Sequence, residues 1–371
     1  MIGMTHRSAQ KIESMKNWRK ECLCLLAAQL LLYPITSLTQ SSPTDLTNLK
    51  LEDILAMRII PYTESEINMS PELPQERFSF AYHYVHSTFE DYQSGRTKIP
   101  TSQMQAQFPI LPLEISQDAH LISLGYIINP RLSLDIQLSY VQQSTYHISR
   151  VPGFDEFTIR SHGVGDTSIG INYLLWRGEK DSLLLRGGLI LPTGSINEKG
   201  RTPRDPNIDT LLPYTMQIGS GTVDFNPSLT HVRQSGKIEW INQLQGTIRI
   251  GKNHHDYSLS HRAMAKTAFF YNLLPYLQPS VKLLGVYWTR LNGQDDDLVL
   301  PNGVYPAPVT NPSLFGGRKI DFLLGLRVPI KDGFLKGQRF EIEAGVPVYQ
   351  DLNGPQPGEN WRIATSWNFQ F

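Results

Sequence analysis

The last twelve residues constrain the chain most. Trp361, Ile363, Thr365, Trp367, Phe369 and Phe371 share one parity, and Asn360, Arg362, Ala364, Ser366, Asn368 and Gln370 share the other. A period of two separates the two sets onto opposite faces of an extended strand. The same alternation returns upstream. Leu132, Leu134, Ile136, Leu138 and Tyr140 oppose Arg131, Ser133, Asp135, Gln137 and Ser139, and Ile320, Phe322, Leu324, Leu326 and Val328 oppose Lys319, Asp321 and Arg327. Twelve such segments are expected, near 77–86, 119–128, 131–142, 163–176, 182–191, 214–233, 237–251, 260–272, 275–288, 316–328, 338–348 and 360–371. Most have the length that a tilted strand needs to cross a bilayer. The expected fold is therefore all-β, a transmembrane antiparallel up-and-down β-barrel of about 12 strands.

The connections support a membrane barrel over a soluble sandwich. Short turns near 129–130, 177–181, 234–236, 273–274 and 329–337 alternate with long loops near 87–118, 143–162, 192–213, 252–259, 289–315 and 349–359. Barrels of the outer membrane sort their loops in this way. Aromatic residues also gather at the strand ends: Phe78, Trp240, Tyr271, Phe369 and Phe371 at the short-turn end, and Tyr84, Tyr140, Tyr287 and Trp361 at the long-loop end. Two such girdles suit the two bilayer surfaces.

Composition closes off other classes. Hydrophobic residues make up 40% of the chain, yet downstream of the N-terminal segment no run is long and apolar enough for a transmembrane helix. Lys plus Arg and Asp plus Glu both total 34, so a basic footprint for nucleic acid is missing. At the N-terminus, Lys16, Arg19 and Lys20 precede an apolar stretch over 22–33, Pro34 and small residues at Ser37, Thr39 and Ser41. That order predicts a signal peptide over 1–40, then a short periplasmic lead segment over 41–76 and the barrel over 77–371. Cys22 and Cys24 fall inside the signal, so the mature chain has no disulfide framework. The expected location is the outer membrane of a Gram-negative-type bacterium, with the membrane's lipid and the barrel-assembly machinery as partners.

Lipid meets the apolar parity, so the charged parity must face inward. The candidate lumen-lining residues are Arg131, Asp135, Asp166, Arg186, Glu239, Arg249, Arg262, Lys266, Lys282, Asp321, Arg327, Arg339, Glu341, Glu343 and Arg362. Most are expected to brace the wall as ion pairs. Their mixed signs argue against strong ion selectivity. Substitutions such as Asp321→Asn are expected to be tolerated better than charge on the lipid row. Twelve strands lie between a barrel filled by side chains and an open porin, so any solute should be small.

Three glycine-rich motifs stand out: residues 163–173 (GVGDTSIGINY), 187–195 (GGLILPTGS) and 216–224 (MQIGSGTVD). In or beside strands, their glycines permit bulges and sharp coiling. The motifs resemble the outer-membrane transporter family named for the MetA pathway of phenol degradation. That resemblance covers 77–371 in outline and implies a barrel that admits small, often aromatic, hydrophobic compounds. Residues 45–55 look like the lead-in of TonB-dependent receptors, but the chain is too short for their plug and barrel.

Enzymatic chemistry lacks its motifs. The chain has no Gly-x-Ser-x-Gly elbow and no His-Glu-x-x-His. His254-His255-Asp256 and Asp295-Asp296-Asp297 are metal candidates by composition, both expected in solvated outer loops. A lipid-acting enzyme would need a serine and a histidine on the lipid row, where His86, His231 and His261 are placed. The expected function is passage of small solutes, without a cofactor. A plugged surface barrel acting through its outer loops is the first alternative, and a membrane-embedded lipid enzyme the second.

Overall fold

The computed structural model describes residues 77–371. The signal peptide and lead segment expected over 1–76 lie outside the described residues. Eleven strand elements form a closed ring: β1 (Phe78–Gly95), β2 (Ile110–Asn129), β3 (Leu132–Ser149), β4 (Thr167–Arg177), β5 (Asp181–Leu191), β6 (Ser228–Ser235), β7 (Ile238–Ile250), β8 (Arg262–Tyr271), β9 (Gln278–Trp288), β10 (Gly317–Pro329) and β11 (Arg339–Gln370). Each pairs antiparallel with the next, and β11 returns to β1. Three outer strands attach to this ring: Thr97–Lys98 on β1, Glu156–Val164 on β3, and Val223–Phe225 between β5 and β7.

β11 doubles back on itself. Its first part pairs with β10 through Leu352, and its last part pairs with β1 from Leu352 onward. Gln350 donates to the Glu359 carbonyl at 3.0 Å and accepts from the Glu359 amide at 3.0 Å. Phe340 stacks on Trp367 with ring centres 6.1 Å apart. Residues so far apart in sequence meet only if the element is a hairpin, so the chain makes twelve passes through the wall. The seam is a reciprocal pair, with Phe78 N to Phe371 O and Phe371 N to Phe78 O, both 2.9 Å.

The two parities separate as the alternation requires. Leu134, Ile136, Leu138, Leu324, Ile342 and Val346 are exposed on the outside. Between them Ser133, Gln137, Asp321 and Arg327 are buried within. On the outside the aromatic residues cluster toward the short turns, where Phe80 meets Trp367 and Phe369, and Trp240 stacks on Phe269.

Several expected boundaries move. Long loops were expected over 87–118 and 143–162, but β1 and β3 run on to Gly95 and Ser149, and β2 starts at Ile110. Between β1 and β2 lie only the short strand Thr97–Lys98, the helix Thr101–Gln107 and turns. The inward residues Phe89, Tyr92, Ile110 and Ile115 hold these extensions, because each packs on apolar loop residues. The strand expected over 214–233 is instead a 3₁₀ turn at Tyr214–Met216, an irregular stretch, and two short strands interrupted at Asn226-Pro227. Proline cannot donate to a ladder, which accounts for the break. Residues 211–220 are buried throughout. They fold into the long-loop end of the barrel.

That end carries an apolar core. Phe89 and Ile115 from the wall pack with Leu211, Tyr214, Tyr257, Leu298, Val309 and Phe315 from three different loops. The mouth is thus packed like a small domain.

The parities yield a stability prediction. Leu324 and Ile342 are 55% and 52% exposed on the lipid row. Replacing either by Arg should cost about 2–4 kcal/mol near the bilayer midplane. Gln137→Ala should cost about 1 kcal/mol, the usual value of its single hydrogen bond to Ser123. Denaturant midpoints in lipid vesicles would show the contrast, and equal costs would contradict it. Deleting residues 362–371 removes the seam and should abolish the heat-modifiable band on a detergent gel.

Candidate functional site

Inside the wall the charges are gathered into discrete clusters. In the first, Arg186 makes bonds of 3.0 Å and 2.7 Å to the two oxygens of Asp135, joined by Asn172, Ser168 and Asn226. In the second, Arg249 pairs with Asp224, which Thr222 also bonds. The third runs across four strands. Arg327 bridges Glu239 at 2.7 Å and Glu341 at 3.2 Å, and Lys282 holds Glu341 at 2.6 Å and Glu343 at 2.8 Å. Arg327 also lies over the Phe270 ring, 3.4 Å from its centre. In the fourth, Arg362 spans Asp321 and Glu359, both at 2.8 Å, while Lys319 bonds Glu359 and reaches Asp321 at 3.1 Å.

Thus Asp135, Arg186, Glu239, Arg249, Lys282, Asp321, Arg327, Glu341, Glu343 and Arg362 enter clusters. Arg262, Lys266 and Arg339 join Lys282, Glu341, Glu343 and Arg362 around an interior cavity of about 100 Å³. Such a volume admits several waters or one small solute. Val85, Met264, Leu284 and Leu323 line it as well, interleaved with the charges along the same strands.

Two of the fifteen stand apart. Arg131 is exposed in the turn after Asn129, whose side chain accepts its amide at 2.9 Å. Asp166 spends its carboxylate on backbone, as described below. Lys319 and Glu359 were missed, although they are 1% and 3% exposed at the centre of a cluster. Lys319 lies on the polar parity of its strand. Glu359 falls in a stretch read as loop, where parity gives no signal.

The three glycine-rich motifs meet at one point in the wall. Asp166 Oδ1 accepts from the Gly194 amide at 2.9 Å, and Oδ2 from the Ser220 amide at 2.8 Å. Thr193 Oγ1 donates to the Gly165 carbonyl at 2.9 Å, and the Ser195 carbonyl accepts from Ile218 and Gly219. A side chain on Gly219 would run into the Gly194 backbone. These two glycines therefore serve a close backbone crossing instead of the bulge expected from sequence. The crossing is where the buried 211–220 stretch is tied to the wall.

The two metal motifs also come together in the mouth. His255, Asp295 and Asp297 bring their ligand atoms within 4.8 Å of one another. His255 Nδ1 lies 3.0 Å from Asp295 Oδ2, and its Nε2 lies 2.9 Å from Asn197 Oδ1. One side chain so links three loops. Burial pushes the Asp295 carboxyl above its ordinary pKa, against the pull of His255.

The outer face holds more histidine than expected. His120 and His162 share the lipid row with His86. His86 Nδ1 lies 2.9 Å from Asp118, Tyr82 bonds His120 at 2.8 Å, and Tyr140 contacts His162 at 3.4 Å. They contact tyrosines and an aspartate, which form a polar belt and not a serine-based triad.

A closed antiparallel ring with an apolar exterior, aromatic ends and a charged interior defines the class: this is the fold of an outer-membrane β-barrel, porin-like in plan. No family model and no curated relative matches the sequence. Solved structures do match. The COG4313 outer membrane channel from Pseudomonas putida has a TM-score of 0.50 at 14% identity, over 90% of this chain and all (100%) of that one. A FadL homologue from Pseudomonas aeruginosa has a TM-score of 0.41 at 9% identity, over 80% and 91%. The transport unit of the Escherichia coli autotransporter AIDA-I has 0.43 at 8% identity, over 86% and 98%. The first of these likenesses supports the fold.

Two substitutions separate bracing from mere polarity. The buried cluster around Asp321 contradicts the expected tolerance of Asp321→Asn, since the change leaves Lys319 and Arg362 facing Glu359 alone. Removing one partner of a buried pair costs about 3–5 kcal/mol, well above Gln137→Ala. Gly219→Ala should free the crossing, and faster proteolysis confined to 193–222 would report it.

Proposed function

We propose that the protein is an outer-membrane channel for small solutes, aromatic or hydrophobic compounds among them, and not an enzyme. The observation that carries this reading is the interior cavity inside a closed barrel, ringed by side chains of the charged parity. A purely structural barrel has no need of a hollow among its braces. Seven of the proposed lumen-lining residues, Arg262, Lys266, Lys282, Arg339, Glu341, Glu343 and Arg362, stand around it. Asp135, Arg186, Glu239, Arg249, Asp321 and Arg327 brace the wall. The likeness to an outer membrane channel of known structure supports the same reading, as do the three motifs that resemble those of the phenol-degradation family. The host is a Gram-negative-type bacterium, with its barrel-insertion machinery as the assembly partner.

The apolar core in the mouth favours one rival, a barrel plugged by its own loops. Conductance of the purified protein in a planar bilayer separates the two. The channel reading expects small, steady, ohmic steps. Deleting residues 289–315 removes Leu291, Leu298, Ala307, Val309 and Phe315 from that core and should raise the conductance while the heat-modifiable band persists. Silence before deletion and current only after it would establish the plug.

A further inference from the structure

Two motifs expected in solvated outer loops meet in the packed mouth, and one of their carboxylates is buried: Asp295 is 3% exposed. His255 comes from the loop over 252–259, and Asp295 and Asp297 from the loop over 289–315. Their ligand atoms lie within 4.8 Å of one another. Each loop is anchored close to the cluster. The Asn253 side chain accepts the His255 amide at 3.0 Å and donates to the Ser220 carbonyl at 3.0 Å. The Asp295 amide donates to the Tyr214 hydroxyl at 2.7 Å, and Tyr214 belongs to the apolar core.

The partners of His255 point to a cation. Its Nε2 faces Asn197 Oδ1 and its Nδ1 faces Asp295 Oδ2. A neutral imidazole has one N–H, and both of these oxygens only accept. With Nε2 donating to Asn197, a lone pair on Nδ1 meets a carboxylate oxygen at 3.0 Å, which calls for positive charge between the two atoms. A second proton or a metal ion would supply it. The position of Asp297 favours the metal. This exposed carboxylate accepts no hydrogen bond among the described residues, and it contributes nothing to a proton held by His255 and Asp295. Arg204, the neighbouring cation, gives its hydrogen bonds to the Asp297 and Leu211 carbonyls and leaves the carboxylates open. A carbonyl oxygen that holds the far N–H of a ligating histidine is also the usual support of a metal site.

We propose that His255, Asp295 and Asp297 bind a divalent transition cation of the zinc type, with Asn197 orienting the imidazole and water completing the coordination. An imidazole beside two carboxylates suits zinc better than calcium, whose ligands are oxygens. Zinc bonds of about 2.1 Å hold ligand atoms no more than about 4.2 Å apart, so the cluster must tighten slightly, which the exposed Asp297 permits. The ion clasps the loops over 252–259 and 289–315, and Asn197 ties in the loop over 192–213. The site is independent of whether the barrel conducts.

The test is calorimetric titration of the full-length protein in detergent, stripped with EDTA, with zinc chloride. One zinc ion should bind per chain, and calcium chloride at equal concentration should not compete. Asp297→Asn should weaken zinc at least about tenfold, and Asn197→Ala, which leaves all three ligands in place, about 10–100-fold. The heat-modifiable band confirms that each variant folds. Zinc should also slow proteolysis within 192–213 and 289–315, and EDTA should restore it. No stoichiometric binding overturns the proposal. So does binding that neither variant weakens, which would put the zinc elsewhere, for instance on the outer row of His86, His120 and His162. Equal affinity for calcium overturns the choice of metal and with it the role of His255.

Discussion

Closure of the sheet is the constraint on which everything else depends. In hydrocarbon an unpaired backbone group costs several kcal/mol, so a strand edge left open there is not tolerated. The pairing of β1 with the returning limb of β11 removes the last edge, and Phe78 and Phe371 terminate it with two reciprocal bonds. Once the ring is closed, parity fixes each side chain in the wall. Alternate residues face lipid, and their neighbours face a confined interior.

That interior is then obliged to solve a charge problem. Arginine, lysine and carboxylates from different strands cannot reach bulk water, and a lone buried charge is prohibitive. The structure pairs them across strands, in clusters that tie β7, β9, β10 and β11 together. The clusters are stabilising mainly in the sense that breaking one is costly. Around the cavity, charged side chains of both signs stand beside apolar ones from the same strands.

Much of this was legible from sequence, for one physical reason. A strand half in lipid and half in a polar interior must alternate, and alternation survives in the letters. The terminal segment 360–371, the faces of 131–140 and 319–328, and ten of the charges now found in clusters followed from it. What failed to show was whatever departs from alternation. Residues 211–220 are buried because they fill the mouth, yet from 214 onward they read as the start of a strand. Glu359 reaches Lys319 only because β11 folds back on itself, and the turn of that hairpin lay in an expected loop. Asp166 sits on no informative parity, because its task is to hold two backbone amides 28 and 54 residues away. Gly194 and Gly219 need each other, and a single sequence does not show which glycines meet.

The packed mouth has a bearing on assembly. Its core joins Phe89 and Ile115 near the start of the barrel to Val309 and Phe315 near the end, with the 211–214 stretch between them. Contacts between such distant parts of a chain close large loops, and that entropy must be met before the contacts can reward it. The wall grows by nearest neighbours, strand upon strand, whereas the mouth has no local nucleus. Its apolar side chains therefore have no home until the ring has formed. The loops are the last part of the molecule to become ordered, and a barrel halted just short of completion would present them as a sticky, water-exposed fringe.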